Sequence, residues 1–252
     1  MQFGALGDIH GDFASARRIM ERHPDVPYWV CVGDLADDEG RYQPVPRPLY
    51  WIKGNNENFD LIEAAAYEAR GSDRPTPESD RRGLPCEVAA EHLYYVRNGV
   101  LVEIPATGRA GQGSSDCLRI AGLGGTFAPT WYETRASDLP HPKKGSAKAT
   151  GQADKRRHVV REEVDACRAM RGIDLFLPHE APRPYRIGRL DAGKTPVNDV
   201  LAALRPRLHL FGHHHRFTEQ ERQGVRSVGL DLVSRSYLLI DADTMEYHVG
   251  LV

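Results

Sequence analysis

Seven polar side chains with metal-coordinating atoms stand just after short apolar runs, and this pattern constrains the fold more than any other feature of the sequence. In chain order they are Asp8, His10, Asp34, Asn55, His179, His213 and His215. The runs that precede them are rich in β-type residues and end in Gly or a polar turn, as strands do. Ligands of open α/β sheets gather at the carboxyl ends of strands. The pattern therefore predicts that these seven side chains meet at one site.

The remaining pattern predicts an α/β fold. Predicted strands cover residues 3–6, 28–32, 49–52, 100–104, 118–121, 175–177 and 208–211. Predicted helices between them cover residues 13–21, 59–69, 159–170 and 197–204. Thr195 is expected as the N-cap of the last helix, with Pro196 at its first position. Alternating strands and helices indicate an α/β architecture.

After residue 211 the helices stop and strands follow one another. These strands are predicted at residues 225–228, 237–240 and 247–249. Consecutive strands without crossover helices favour antiparallel pairing. We therefore expect them to form a second, partly antiparallel sheet, so that two packed sheets are flanked by helices.

Length and composition predict a single domain over residues 1–252. Two segments have the composition of insertions, namely residues 71–85, rich in Pro, Arg, Ser and Asp, and residues 128–152, rich in Pro, Lys, Gly and Thr. The four cysteines are scattered without C-x-x-C spacing, so we expect buried thiols rather than disulfides or a thiolate metal site.

Composition also limits the partners. No apolar run approaches the roughly 18 residues that a membrane span needs, and no export signal is recognisable, so we expect a cytoplasmic protein that does not enter membranes. The formal net charge is -2, which provides no global field to attract nucleic acid. The basic stretch at residues 135–161 is expected to be a solvated loop that leads into a helix. Nothing in the sequence indicates an obligate protein partner.

Five short blocks contain the seven predicted ligands. They are residues 7–12 (GDIHGD), 33–37 (GDLAD), 54–57 (GNNE), 177–180 (LPHE) and 212–215 (GHHH). In order and spacing they resemble the signature blocks of the calcineurin-like metallophosphoesterase family. Residues 175–182 and 201–209 resemble, more narrowly, the RNA lariat-debranching branch of that family. The resemblance implies a four-layer αββα sandwich with two packed mixed β-sheets.

The resemblance also implies a role for each ligand. Asp8, His10 and His215 would hold one divalent metal ion, Asn55, His179 and His213 would hold the other, and Asp34 would bridge the two. Carboxylate, amide and imidazole donors suit Mn²⁺, which we expect, with Fe²⁺ or Zn²⁺ as alternatives. A hydroxide between the metals would then attack the phosphorus of a phosphate ester. Glycines beside the ligands would allow sharp turns and the approach of phosphate.

The sequence departs from the family at Asn56, where many members carry a His that contacts the substrate. Asn56 can donate a hydrogen bond to a phosphate oxygen but cannot protonate a leaving group, and a general acid typically contributes about 10²–10⁴-fold. Asp37 is expected to orient a ligand or a loop, with a helix or turn cap as the alternative. Glu57, Glu180 and His214 are further residues that would assist catalysis, and His214 is expected to point away from the metals because side chains alternate along extended chain.

Other polar residues near the predicted site have two interpretations each. Arg183 and Arg186 follow His179 and would bind a substrate phosphate, or are ordinary surface arginines. Residues 188–195 (GRLDAGKT) match the expression for a nucleotide-binding P-loop, but they do not follow a strong first strand, so we expect Lys194 to line the substrate rim. Trp131 and Tyr132 are expected to pack their own loop rather than stack on a base.

The predicted function is a metal-dependent phosphodiesterase that acts on a nucleotide or a nucleic-acid-like diester, RNA included. One alternative is a phosphomonoesterase or Ser/Thr protein phosphatase with the same metal centre. A second alternative is a binding scaffold that kept the fold and lost catalysis.

Overall fold

The computed structural model describes residues 1–68, 86–88, 90–105, 117–142 and 154–252. The predicted insertion at residues 71–85 lies outside these ranges, as do residues 143–152 of the second one. The described part of the second insertion contains a 3₁₀ helix at Ala136–Asp138. The single domain over residues 1–252 stays a prediction.

The first sheet has seven strands in the described residues. They are β1 (Gln2–Leu6), β2 (Trp29–Cys31), β3 (Leu49–Trp51), β4 (Cys86–Glu87), β5 (Leu93–Tyr95), β16 (Ser236–Asp241) and β17 (Tyr247–Leu251), in the spatial order β17-β16-β1-β2-β3-β5-β4. The four central strands β1, β2, β3 and β5 are parallel. Antiparallel strands complete the sheet at both edges.

The second sheet has six strands in the same ranges. They are β6 (Leu101–Pro105), β7 (Cys117–Leu123), β10 (Leu175–Pro178), β13 (Leu208–Phe211), β14 (Thr218–Arg222) and β15 (Val225–Gly229), in the order β14-β15-β13-β10-β7-β6. Two small sheets pair β8 (Thr126–Phe127) with β9 (His158–Val159) and β11 (Arg186–Ile187) with β12 (Leu190–Asp191).

The prediction that the last strands build a sheet of their own is wrong. β15 joins the second sheet, parallel to β13, whereas β16 and β17 join the first sheet beside β1. β14 was not predicted because its polar sequence, TEQER, lacks the apolar alternation of a half-buried strand. A two-residue turn with positive φ at Gln223 (54°) and Gly224 (76°) folds β14 back on β15.

In the described part of the chain, four α-helices cover the outer faces of the sheets. They are α1 (Phe13–Arg22), α2 (Phe59–Glu68), α3 (Arg161–Arg168) and α4 (Thr195–Leu204). Between the sheets, buried residues such as Val30 of β2 and Ile120 of β7 form one core. α1 and α2 pack on the outer face of the first sheet, and α3 and α4 on that of the second. The predicted four-layer αββα sandwich is therefore confirmed.

Helix boundaries differ slightly from the predictions. Lys194, not Thr195, is the N-cap of α4, because the N–H of Lys194 still bonds the carbonyl of Ala181 and the helix begins immediately afterwards. α3 is shorter than predicted because residues 158–159 belong to β9. Cys31 and Cys167 are buried free thiols as predicted, and Cys117 is half-buried.

The basic stretch at residues 135–161 is not uniformly solvated in its described part. The buried guanidinium of Arg156 bonds Asp154 and also reaches Asp60 and Glu63 of α2, each of the latter at 2.8 Å. A buried charge persists only when it is paired, and here the pairs fasten residues 154–157 to α2.

None of the described helices has the length and apolar character needed to cross a membrane.

Replacing Ile120 by Ala should destabilise the protein by about 2–5 kcal/mol, because Ile120 is fully buried between the sheets and truncation leaves a cavity. Urea unfolding followed by circular dichroism measures this change. The matched control is Leu251→Ala in β17, where Leu251 is 75% exposed and the change should stay within about 0.5 kcal/mol. Equal losses for the two variants would contradict the inter-sheet core.

Candidate metal centre

The first group of predicted ligands consists of Asp8 and His10, which follow β1, and His215, which follows β13. Nε2 of His215 lies 3.0 Å from Oδ2 of Asp8 and 3.0 Å from Nε2 of His10. Nε2 of His10 lies 3.9 Å from the same carboxylate oxygen. The first two and the last of the seven predicted ligands thus form one cluster.

The second group consists of Asp34, Asn55, His179 and His213, which follow β2, β3, β10 and β13. Nε2 of His179 lies 3.6 Å from Oδ2 of Asp34 and 3.3 Å from Oδ1 of Asn55. The rings of His179 and His213 meet edge to face with their centroids 4.9 Å apart. Because Asp34 and Asn55 follow the first sheet and the histidines follow the second, this group joins the carboxyl edges of both sheets.

Asp34 lies between the two groups. Its Oδ2 atom is 3.7 Å from Nε2 of His10 and 3.6 Å from Nε2 of His179. The carboxylate is only 1% exposed, and its other oxygen accepts a hydrogen bond from the backbone N–H of Asn56 at 2.7 Å. This is the position that a bridging ligand requires.

Four of the seven side chains stand on left-handed backbone. The φ angles are 46° at His10, 52° at Asp34, 69° at His213 and 49° at His215. Residues other than Gly adopt such angles at a cost of about 1–3 kcal/mol each. Hydrogen bonds hold the turn after β1, where the N–H groups of Ile9 and His10 both donate to the carbonyl of Asp34, at 3.0 and 2.7 Å. Strain of this kind clusters at functional sites.

Glycines beside the ligands leave room for ligand carboxylates. A Cβ atom at Gly54 would overlap Oδ1 of Asp34, and one at Gly212 would overlap Oδ1 of Asp8. Gly33 in addition has a left-handed φ of 108°. These glycines let the backbone approach the carboxylates and turn sharply, and their expected function in admitting phosphate stays a prediction.

The donor atoms of the second group fit a bound cation. Nδ1 of His179 donates to the carbonyl of Val32 at 2.7 Å, and this bond assigns the tautomer. In the form that can bind a cation, the other ring nitrogen, Nε2, turns its lone pair towards Oδ1 of Asn55 and Oδ2 of Asp34. Three lone-pair atoms that face one another repel unless positive charge stands among them. Oxygen and imidazole donors together suit Mn²⁺, Fe²⁺ or Zn²⁺.

Burial and charge set the protonation of the histidines. Burial, followed by the charge of His179, lowers the pKa of His213 to about 3. Burial alone would also lower the pKa of His179, but the charges of Asp34 and Asp8 more than offset it and raise that pKa. The hydrogen bond to Asp8 raises the pKa of His215. His213 is consequently neutral at pH 7, the form that can coordinate a metal.

Glu57 connects the two loops that carry Asp34 and Asn55. Its carboxylate accepts the N–H of Leu35 at 3.0 Å and of Gly54 at 3.2 Å, and the hydroxyl of Tyr42 at 2.8 Å. Burial, followed by the charge of Asp34, raises the pKa of Glu57 to about 8. These bonds show a positioning role for Glu57.

Glu180 connects three elements at the second group. Oε2 of this buried carboxylate accepts the N–H of Phe127 at 2.5 Å. Its Oε1 lies 3.4 Å from Nζ of Lys194 and 3.9 Å from Nε2 of His213. Carboxylates behind ligand imidazoles commonly orient them.

Lys53 is a supporting residue that the sequence pattern did not reveal. Its buried Nζ donates to the carbonyl of Arg156 at 3.0 Å and lies 3.5 Å from Glu163, while its own carbonyl accepts the N–H of Gly125 at 2.7 Å. Lys53 comes two residues before Asn55, so these bonds fix that ligand loop against the second sheet. A lysine directly after an apolar strand was the signal available in the sequence.

Asn56 and Asp37 both hold loops. Besides the backbone bond of Asn56 to Asp34, its side-chain Nδ2 donates to the carbonyl of Ala36 at 3.2 Å. Asp37 accepts the N–H groups of Glu39 and Arg41 at 3.0 and 2.9 Å and Nε of Arg41 at 2.8 Å. These bonds lower the pKa of Asp37, and the hydrogen bond from the backbone N–H of Arg41 has the largest effect. Asp37 therefore caps its turn, the alternative considered from the sequence.

The two predicted phosphate-binding arginines are exposed. Nε of Arg183 pairs with Oδ2 of Asp191 at 3.0 Å, which matches the interpretation of Arg183 as a surface residue. Substrate binding by Arg183 and Arg186 stays a prediction. The P-loop interpretation fails, because a P-loop follows a central strand, whereas residues 188–191 form the turn and second strand of a small hairpin. In addition, Lys194 pairs with Glu180.

His214 stacks on Tyr185, with ring centroids 4.4 Å apart. The ring of His214 also meets that of His213 edge to face, with centroids 5.0 Å apart. The segment is not extended, because His213 and His215 have left-handed φ angles, and the expectation that His214 points away from the metals stays a prediction. Tyr132 packs on Phe127 with centroids 5.1 Å apart, and Nζ of Lys155 lies 5.9 Å from the ring of Trp131. Tyr132 thus packs against β8, and the expectation that the two rings pack within their own loop stays a prediction.

Comparisons with known proteins agree with this geometry. The family model described as calcineurin-like phosphoesterase matches residues 1–217. A search of curated proteins finds no match. The solved structure of TT1561 of Thermus thermophilus is similar with a TM-score of 0.57 at 14% identity, covering 99% of this chain and 98% of that one.

Two further solved structures extend the comparison. One is similar with a TM-score of 0.60 at 12% identity, over 99% of this chain and 98% of the other. A novel archaeal phosphodiesterase aligns over the full length of both chains, but its TM-score of 0.44 at 8% identity carries no argument. At these identities the similarities concern the fold alone.

Gly54→Ala should weaken Mn²⁺ binding by about 10–100-fold, the usual cost of disturbing a group that orients a ligand, because the new Cβ displaces Asp34. Isothermal titration calorimetry measures the affinity. Gly224→Asn is the control, since a Cβ there meets nothing within 4 Å and Asn tolerates positive φ. Wild-type affinity in Gly54→Ala would show that Asp34 is not a ligand.

Proposed function

Since this chain belongs to the calcineurin-like phosphoesterase family, we propose that it is a dinuclear metal-dependent hydrolase of phosphate esters that prefers phosphodiesters. The observation that carries the proposal is the buried Oδ2 of Asp34, which faces an imidazole of each ligand group at 3.7 and 3.6 Å. Membership of the family supports a phosphate ester as the substrate, and the geometry supports a site for two cations.

In this proposal each group holds one ion. Asp8, His10 and His215 hold the first, Asn55, His179 and His213 hold the second, and Asp34 is shared. Two bound divalent cations would supply charge neutralisation at the phosphoryl oxygens and an activated water as the nucleophile. Mn²⁺ is the proposed metal, with Fe²⁺ or Zn²⁺ as alternatives.

The protein itself orients these groups. Asn56 holds the free oxygen of Asp34 through its backbone N–H, and Glu57 holds the loops on either side. The side chains of His10, His215 and His213 are 33%, 40% and 28% exposed, whereas Asp8, Asp34 and His179 are buried. The centre is therefore open at these three histidines, where substrate has access.

The diester preference rests on Asn56. Its amide has no proton to transfer at neutral pH, and its Nδ2 is already bonded to the carbonyl of Ala36. Esters with poor leaving groups depend most on protonation of the leaving oxygen. We therefore propose activated esters and diesters, such as those of nucleotides or RNA, over alkyl monoesters. Arg183 and Arg186 are proposed contacts to further phosphate.

Two alternatives keep the same fold. A phosphomonoesterase or Ser/Thr protein phosphatase would use the same centre, and Asn56 disfavours it. A scaffold without catalysis would be expected to have lost ligands, whereas all seven coordinating side chains are present. A cytoplasmic location and the absence of an obligate protein partner stay predictions.

Bis(p-nitrophenyl) phosphate should be hydrolysed faster in kcat/KM than p-nitrophenyl phosphate, and a phosphoserine peptide slowest, with Mn²⁺-reconstituted protein. The reason is that only the first two carry good leaving groups and only the first is a diester. Release of nitrophenolate and of inorganic phosphate measures the three rates.

The matched control is Asp34→Asn, which keeps the size of the side chain, halves its coordinating oxygens and should abolish turnover of all three compounds. Fastest turnover of the phosphopeptide would favour a protein phosphatase. Undiminished activity in Asp34→Asn would refute the dinuclear centre.

A further inference from the structure

We infer that the hairpin at residues 183–191, here called the arm, binds a single-stranded polynucleotide and guides it to the metal centre. The inference rests on the proposed function and specifies its substrate class as a polynucleotide chain rather than a small nucleotide. Four features of the arm support it, namely its exposed tip, its rigid base, its contact with the ligand turn and its charge.

The tip of the arm exposes apolar side chains. Ile187 pairs with Leu190 across the hairpin, so the two side chains lie on the same face. They are 49% and 66% exposed, which is unusual for large aliphatic residues. The turn between them is open, since nothing lies within 4 Å of a Cβ built on Gly188. The arm thus presents an apolar wedge to solvent.

The base of the arm is fixed by a dense set of hydrogen bonds. The N–H of Arg183 donates to Oδ1 of Asn198 at 2.6 Å, and Nδ2 of Asn198 donates back to the carbonyl of Arg183 at 2.8 Å. Oδ1 of Asp191 accepts the N–H groups of Tyr185 and Gly193 at 2.9 and 3.1 Å. A rigid base means that little conformational entropy is lost when the tip binds a ligand.

The arm contacts the metal centre through one stacked pair of rings. Tyr185 stacks on His214 with an interplanar angle of 18° and packs edge-on against Phe211. His214 stands between the ligands His213 and His215. A chain held along the arm is therefore delivered next to the ligand turn.

The positive charge of the arm suits a ligand that carries a series of anionic groups. Its one carboxylate, Asp191, pairs with Arg183. Arg186 and Arg189 are exposed and form no ion pair with any carboxylate of the described residues. The net charge of the whole chain is -2, so this local pair of cations, not a global field, provides the attraction.

Charge and apolar surface together identify the occupant. A polynucleotide strand presents phosphates at regular intervals for the arginines and exposed bases for an apolar wedge, a combination that proteins use to separate or hold bases. A phosphopeptide typically presents a single phosphate and not a regular series of phosphates and bases. A mononucleotide carries a single base and so does not offer a series of bases and phosphates along a strand.

The direct test is the binding of a fluorescein-labelled, phosphorothioate single-stranded DNA to Mn²⁺-loaded protein, followed by fluorescence anisotropy. Arg186→Ala combined with Arg189→Ala should raise Kd at least tenfold and flatten the slope of log K against log salt by about 1.4, since each phosphate contact on a single strand contributes about 0.7. Ile187→Ser combined with Leu190→Ser should raise Kd several-fold and leave the slope unchanged.

Two exposed residues outside the arm provide matched controls. Arg168→Ala on α3 and Leu251→Ser on β17 remove an exposed cation and an exposed aliphatic side chain, and Kd should stay at the wild-type value. Equal losses in arm and control variants would overturn the inference. So would a phosphoserine peptide that binds as tightly and depends on the same arginines, or a dimer that dissociates on arm substitution in sedimentation velocity.

The outcome is separable from that of the proposed function. If wild-type protein hydrolyses bis(p-nitrophenyl) phosphate while the arm variants bind the DNA normally, the arm inference alone is wrong. If binding depends on the arm while the wild-type protein hydrolyses no ester, the proposed hydrolysis alone is wrong.

Discussion

The carboxylate of Asp34 is almost completely buried and faces an imidazole of each ligand group. Both sheets are needed to place it there. One cluster is built on β1 and the turn after β13, and the other on β3, β10 and the same turn. Neither sheet alone supplies a complete set of donors. The site therefore requires the face-to-face packing of the two sheets, with their parallel strands ending at a common edge.

This convergence carries a local energetic cost that the rest of the fold offsets. Four ligands occupy left-handed backbone, and His179 is completely buried. Apolar packing on three levels, between the sheets and beneath each pair of helices, supplies the compensating free energy. Three residues then fix the positions of the ligands. Glu57 bonds the loops that carry Asp34 and Asn55, whereas Glu180 and Lys53 stand beside ligands in the sequence and bond neighbouring segments. Such supporting bonds normally determine how well a metal site functions.

Much of this arrangement could be predicted from the sequence, for a physical reason. The central strands are apolar runs that end in turns, and donor residues follow them directly, so both the αββα layers and the cluster of seven side chains were predictable. Strands with polar or very short sequences, such as β14 and β8, were not, because their pairing depends on neighbours that periodicity does not reveal. The role of Gly54 was not predictable either, since it depends on the position of Asp34, twenty residues away. The arm at residues 183–191 was hidden by a resemblance to a phosphate-binding loop.

The central claim is that Asp34 is shared between two cations, and anomalous diffraction from crystals soaked in Mn²⁺ tests it most directly. Two anomalous peaks about 3.5–4 Å apart, with the carboxylate of Asp34 in contact with both, are the predicted result. A single peak, or two peaks of which Asp34 touches neither, would contradict the account.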